Sequence, residues 1–364
     1  MSRGDSRETS AAVGIAAVVV VIFGMQAASV LLVPFLMAVF LALISVRPML
    51  WLQSKRVPSF IAALLIVVAM MLLLGVIGTI LGTSIADFTA ALPGYQARLD
   101  TIIEGFFQFV ARYVDDDQSV ENLSDLVDPG WAMGQAASLL NALRDVLTNA
   151  FLIMFTMVFI LLEASGFSTK VRAAFGNHTR AFVRARLFLN NLGRYLGIKT
   201  VVSMATGLSA WGLTWWIGLD FPLLWGMLAF LLNYVPTIGS IIAAVPAVLT
   251  AIVQLGFADA ASTALAFLTI NVVFGNLLEP RLMGYGVGIS PLVVFLGLVF
   301  WGWVFGPVGM LLSVPLTMTL KMALESDPAT RWIAILIGSE RDAEHALALR
   351  SEAEVAEVAG SPAA

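Results

Sequence analysis

Six stretches of this 364-residue chain contain no Asp, Glu, Lys or Arg: residues 9–46, 57–86, 200–219, 221–258, 260–278 and 282–320. A water-facing helix needs a polar stripe along its outer side, and runs of this length leave none. Lipid is the solvent they suit. A helix crosses the hydrocarbon core with about 20 apolar residues, so several runs hold one span and some hold two. Only 12% of the chain is charged, against about 25% in ordinary globular domains. A transmembrane β-barrel shows alternating segments of about ten residues, and these runs do not alternate. The fold class is therefore all-α: a polytopic integral membrane protein with about seven to eight transmembrane helices.

Charge is strongly segregated although the net value is only −4. Residues 168–199 hold Lys170, Arg172, Arg180, Arg184, Arg186, Arg194 and Lys199 and no acid, whereas residues 85–148 hold ten acids against Arg98, Arg112 and Arg144. Basic loops stay on the cytoplasmic side, so both termini are expected inside and the acidic stretch outside. The organisation read along the chain is N-terminal membrane helices at 1–84, an extracytoplasmic helical segment at 85–147 and a span at 148–167. A basic cytoplasmic linker at 168–199, a membrane core at 200–325 and a cytoplasmic tail at 326–364 complete it. The N-terminal residues do not read as a cleavable signal, because Arg3 and Arg7 are balanced by Asp5 and Glu8 and the apolar run outlasts a signal core.

In the acidic segment, Leu99, Ile102, Ile103, Phe106, Phe107, Val110 and Tyr113 fall on one helical face. Asp115, Asp116 and Asp117 read as a solvated turn, since a calcium loop needs alternating ligands and a glycine. In the basic linker, Phe182, Leu187, Leu189, Leu192 and Leu196 lie among arginines, the pattern of an amphipathic helix on an anionic inner leaflet. The lipid bilayer is thus a partner. Nucleic acid is not expected.

Two apolar runs are interrupted. NYVPTIG, from Asn233 to Gly239, carries Pro236 in the middle of residues 221–258. The first arm, residues 222–232, reaches roughly 17 Å at 1.5 Å per residue, short of a core about 30 Å thick. A re-entrant or short-armed hairpin follows. The second run breaks at Gly306-Pro307. GSIIAAVP ending at Pro246 resembles GMLLSVP ending at Pro315. Paired interruptions of opposite sense point to a transporter's binding region, because broken helices expose backbone groups that lipid cannot satisfy.

Between them lies NLLEPRLMGYGVG, residues 276–288. Glu279 and Arg281 are expected near the cytoplasmic end of a span, where a charge costs less than the roughly 2.5–3.5 kcal/mol of the bilayer centre. They are read either as a sealing ion pair or as a carboxylate competing between Arg281 and a proton or cation. Pro280 ends the span, and Gly284, Gly286 and Gly288 supply a hinge. Asn276 stands beside Glu279 at i+3. Asn233, Tyr234, Pro236, Gly239, Asn276, Glu279 and Arg281 form the expected solute or ion pathway. Pro246, Pro280, Gly284, Gly286, Gly288, Gly306, Pro307 and Pro315 are the expected hinges or helix breaks.

Enzyme chemistry finds no foothold. The two histidines, His178 and His345, are far apart, no HExxH occurs, and cysteine is absent. GYGVG follows no strand and leads to no GK[ST]. No cofactor or metal is called for.

LLNYVPTIGSIIAAVPAVL and NLLEPRLMGYGVGISPLVV, with FWGWVFGPVGMLLSVPLT after them, resemble the signature regions of the AI-2E transporter family, also called the PerM permease family. The resemblance implies a bacterial inner-membrane, homo-oligomeric transporter. It implies either export of autoinducer-2, to which Asn233, Tyr234 and Asn276 are suited, or sodium(lithium)/proton antiport through Glu279. A non-transporting scaffold that works through the basic linker and tail is the remaining alternative.

Overall fold

In lipid, each backbone polar group must be satisfied within its own segment or against buried protein. The structure is a computed structural model that describes residues 4–111, 148–175, 180–236, 238–283, 288–327 and 329–340, together with 343–344, 347–348 and 351. It is helical almost throughout, with no strand among the described residues. The helices are α1 Gly4–Ala27, α2 Ser29–Ser54, α3 Ser59–Ala111, α4 Ala150–Phe175, α5 Arg180–Ile217, α6 Pro222–Leu232 and α7 Ile238–Gln254. α8 Phe257–Ile270 runs into a π-helix at Asn271–Leu278 and then α9 Glu279–Met283; α10 Pro291–Leu311, α11 Ser313–Ser326 and α12 Arg331–Leu336 follow. Among the described residues, four segments are long and apolar enough to span a membrane: Ser29–Ser54, Ser59–Ile102, Phe257–Met283 and Pro291–Leu311. Their outer faces display large apolar side chains such as Val30 and Leu72, which a water-soluble protein would have to cover.

Helices run across three of the expected segment limits. α3 continues from the apolar run through Pro93 to Ala111, about 80 Å at 1.5 Å per residue. α4 passes residue 167 and α5 passes residue 199 without interruption. A change from apolar to amphipathic composition alters what a helix faces, not whether it is helical. Leu99 is buried on α3. Tyr113 and the three aspartates at 115–117 lie outside the described residues.

Contacts divide the chain into two units. One is drawn from Met1–Arg47, Phe159–Leu196 and Met283–Ala364. Its core is Trp301, Val304 and Phe305, packed by Ile22, Met25 and Leu36. α10 leaves helical geometry at Gly306 (φ 65°, ψ −151°), a left-handed conformation that glycine adopts without strain. The chain folds back there, and Trp301 Nε1 donates to Thr317 Oγ1 across the hairpin at 3.1 Å. Lys321 Nζ donates to the carbonyl of Gly288 at 2.6 Å. Gly284 and Gly286 lie outside the described residues.

The other unit is drawn from Pro48–Val158 and Gly197–Leu282. α6 and α7 form a hairpin around Asn233–Pro236. At its far end Tyr95 Oη donates to Asp220 Oδ2 at 2.6 Å, Trp225 Nε1 donates to the Asp220 carbonyl at 2.7 Å, and the Asp220 amide donates to Gln254 Oε1 at 2.8 Å. Phe88, fully buried, packs edge-on to Phe221 and Trp225. These contacts hold Phe221 at φ 55°, an uncommon conformation for a bulky residue.

Glycines set the close approaches. A Cβ on Gly207 of α5 would lie 2.7 Å from Phe230 Cβ and 2.8 Å from the Gly226 carbonyl, so α5 and α6 cross backbone to backbone, as small residues permit in membrane helices. A Cβ on Gly239 would overlap the Leu232 carbonyl and press on Val235; one on Gly309 would overlap the Trp301 carbonyl and press on Phe305. The two glycines that open the similar GSIIAAVP and GMLLSVP motifs therefore occupy like positions in their hairpins. Three of the prolines behave otherwise than expected. α7 runs through Pro246, the π-helix and α9 run through Pro280 to Met283, and Pro315 is the third residue of α11. Pro315 costs no hydrogen bond, since the first amides of a helix have no intrahelical acceptor. Pro246 is buried, and packed membrane helices tolerate interior proline. Each hairpin turns ahead of its proline.

Candidate functional site

The site begins on α5. Lys199, Ser203 and Thr206 stand at i, i+4 and i+7, hence on one side of the helix, and all three are buried. Lys199 Nζ contacts both carboxylate oxygens of Glu279, at 2.7 and 2.8 Å. The lysine side chain is 6% exposed and that of Glu279 16%. Lys199, the last residue of the basic segment 168–199, thus turns into the protein. In apolar surroundings an ammonium must be paired, and Glu279 lies within the apolar segment Phe257–Met283.

Arg281 is not the partner of Glu279. It is exposed, and residues two apart on a helix do not face each other. The pair spans 80 residues of sequence instead.

The hairpin turn meets α5 one step along. Asn233 Nδ2 donates to Ser203 Oγ at 2.9 Å, and Tyr234 Oη donates to Thr200 Oγ1 at 2.8 Å. Asn233 and Tyr234 are both buried. Three sequence-expected residues, Asn233, Tyr234 and Glu279, are therefore gathered on one stretch of α5, residues 199–203. Pro236 is half-buried in the same turn, and Gly239 is buried against Leu232. Asn276 is exposed within the π-helix, where hydrogen bonds run from i to i+5. That periodicity places Asn276 one turn from Asn271. Gly288, Gly306, Pro307 and Pro315 belong to the other unit and are not part of this cluster.

Lys199, Thr200 and Ser203 are the members that motif reading does not find. One signal was present: Lys199 and Glu279, opposite in sign, each abut a charge-free run. Chemically the cluster is electrically balanced and rich in hydroxyl and amide groups. It suits a ligand that exchanges hydrogen bonds. Among the described residues no group of three or more His, Asp or Glu side chains is gathered to hold a metal ion.

The profile of the AI-2E family transporter matches residues 15–327, which contain the whole of this cluster. The chain belongs to the AI-2E family of transporters. It is similar to the "AI-2 transport protein TqsA" of Escherichia coli (strain K12), 38% identical over 323 residues covering 88% of this chain and 92% of the relative. It is also similar to the "Putative transport protein YhhT" of the same organism, 33% identical over 327 residues covering 90% of this chain and 93% of the relative. With its apolar helices, this family membership makes the chain a bacterial membrane transport protein.

Proposed function

We propose that the protein is a secondary transporter of a small, neutral, hydroxylated solute, moved without ATP. The observation that carries this reading is the buried Lys199–Glu279 pair set beside the hydrogen-bonded contacts of Asn233 and Tyr234 with α5. A balanced pair presents donors and an acceptor with no net charge, which suits an uncharged polar ligand. The printed name of the Escherichia coli relative, an AI-2 transport protein, makes autoinducer-2 the first solute to test. In this reading both termini lie on the cytoplasmic side, which the basic segment at 168–199 supports, and a homo-oligomer is the expected assembly. The exposed Arg281 and Asn276 are assigned to the approach to the pathway.

A second reading rests on the same carboxylate. Held by a single lysine ammonium, Glu279 releases Lys199 when a proton or monovalent cation takes its place. That exchange is the elementary step of antiport.

Purified protein in proteoliposomes separates the two. Autoinducer-2 flux that is unaffected by sodium is expected from the first reading, and sodium-driven proton movement without autoinducer-2 from the second. Glu279→Gln is expected to lower autoinducer-2 flux at least about tenfold, roughly the loss of one charge-assisted hydrogen bond. Native autoinducer-2 flux in that variant removes Glu279 from the first mechanism, and native sodium-driven proton movement removes it from the second.

A further inference from the structure

Among the described residues, two buried side-chain oxygens have no hydrogen-bond partner, Thr206 Oγ1 on α5 and Ser313 Oγ at the start of α11. Thr79, Thr83, Thr214, Thr250, Thr263 and Thr317 each donate a hydroxyl to a carbonyl three or four residues back on their own helix. That is the usual way a helical hydroxyl is satisfied without a neighbour. Thr206 is 5% exposed, and its Oγ1 is fully buried with no hydrogen-bond partner. A buried hydroxyl left unpaired is costly, so this oxygen is open to a partner.

Its position supplies one. Thr206 lies two turns along α5 from Lys199, at i+7, on the same line of the helix. Three residues before it, Ser203 accepts the hydrogen bond of Asn233. Three residues after it, Ser209 lines a cavity of about 390 Å³ between α5 and the α8–π-helix segment, walled mainly by Leu213, Trp216, Ile270 and Phe274. Along α5, Thr206 thus falls between Ser203 of the ion-paired cluster and Ser209, which lines a largely apolar recess of ligand-pocket size. The recess and the cluster lie within one unit of the chain.

We infer that Thr206 is a specificity-determining residue of the transport pathway, whose hydroxyl hydrogen-bonds the travelling solute as it passes between the Lys199–Glu279 pair and the α5–α8 recess. The solute class that fits is a compact neutral molecule with at least one hydroxyl or carbonyl oxygen and a carbon face for the apolar wall. A hydroxyl is both donor and acceptor, so it serves either oxygen type, whereas a bare cation would find one weak ligand in an apolar wall. This inference rests on the transporter reading above and adds the residue that selects the solute.

Two measurements on the full chain test it. The protein has no cysteine, so Thr206→Cys creates a single thiol in the membrane-embedded protein. It is expected to react with a small water-soluble methanethiosulfonate at least tenfold faster than Ala210→Cys, a fully buried position four residues on. Autoinducer-2 is expected to slow that reaction. In proteoliposomes, Thr206→Val keeps the shape and removes the hydroxyl. It is expected to raise the apparent KM for autoinducer-2 about three- to tenfold with little change in maximal rate, and Thr206→Ser is expected to restore it. A merely structural threonine behaves differently: its valine variant keeps the native KM, because removing an unpaired buried hydroxyl does the fold no harm. Thiol reactivity equal to that of Ala210→Cys, or a native KM in Thr206→Val, overturns the inference. The labelling comparison needs no known substrate, so it decides the point even if the native protein moves no autoinducer-2. Native flux in Glu279→Gln defeats the reading above without altering either result.

Discussion

A lysine ammonium in an apolar interior persists only with a counter-charge, and removing one member of such a pair typically costs about 3–5 kcal/mol. Lys199→Met is therefore expected to lower unfolding stability by that order, measured by thermal or denaturant unfolding in detergent. Arg281→Ala, at an exposed position, is expected to stay within about 0.5 kcal/mol of native. A loss in Arg281→Ala as large as in Lys199→Met would mean that the arginine shares the pair. At this scale the sequence was half legible. Asn233, Tyr234 and Glu279 stood out because polar groups in charge-free runs are conspicuous. Lys199 did not, because it closes a basic stretch and its partner lies 80 residues away. Nothing local distinguishes a lysine that snorkels to a headgroup from one that turns inward. Thr206 is still less visible, since threonine is common in membrane helices and burial of its unpaired hydroxyl is known only from the fold.

Among the elements, the hairpins depend on glycines more than on their prolines. Gly239→Ala places a Cβ against the Leu232 carbonyl, backbone that has nowhere to shift, and is expected to cost at least about 1–3 kcal/mol, the range for overpacking. Pro246→Ala restores an amide inside α7 and is expected to be far milder; unfolding midpoints of the two variants check the ranking. At the other end of that hairpin, Tyr95→Phe removes the hydrogen bond to Asp220. A bond to a charged acceptor is worth about 1.5–3 kcal/mol, and a loss of that order is expected in the same assay. The interruptions themselves were readable, because Gly306-Pro307 and Asn233–Gly239 break an otherwise unbroken apolar pattern. The lengths of α3 and α5 were not, since hydropathy marks where the surroundings change and helix propensity continues past that point. The π-helix at Asn271–Leu278 has no composition of its own to announce it.

For the whole molecule, the membrane class and the family follow from features that extend along most of the chain, namely its charge-free runs and its two signature regions. The grouping of helices into units was less accessible, because residues distant in sequence assemble each of the two units. Sidedness is open to direct test in a cysteine-free chain. Pro236→Cys, in the half-buried turn of the first hairpin, is expected to react with an impermeant thiol reagent from the cytoplasmic face alone. Reaction from the opposite face alone would reverse the topology.

The central claim is that the Lys199–Glu279 pair serves transport and not only stability. The double variant Lys199→Met with Glu279→Leu isolates that claim, because replacing a buried pair by apolar residues of similar size is often neutral or stabilising. The deciding measurement is autoinducer-2 flux through this variant in proteoliposomes, beside its unfolding midpoint. A native-like midpoint with flux reduced at least about tenfold is the expected result. Native flux from the apolar pair would contradict it.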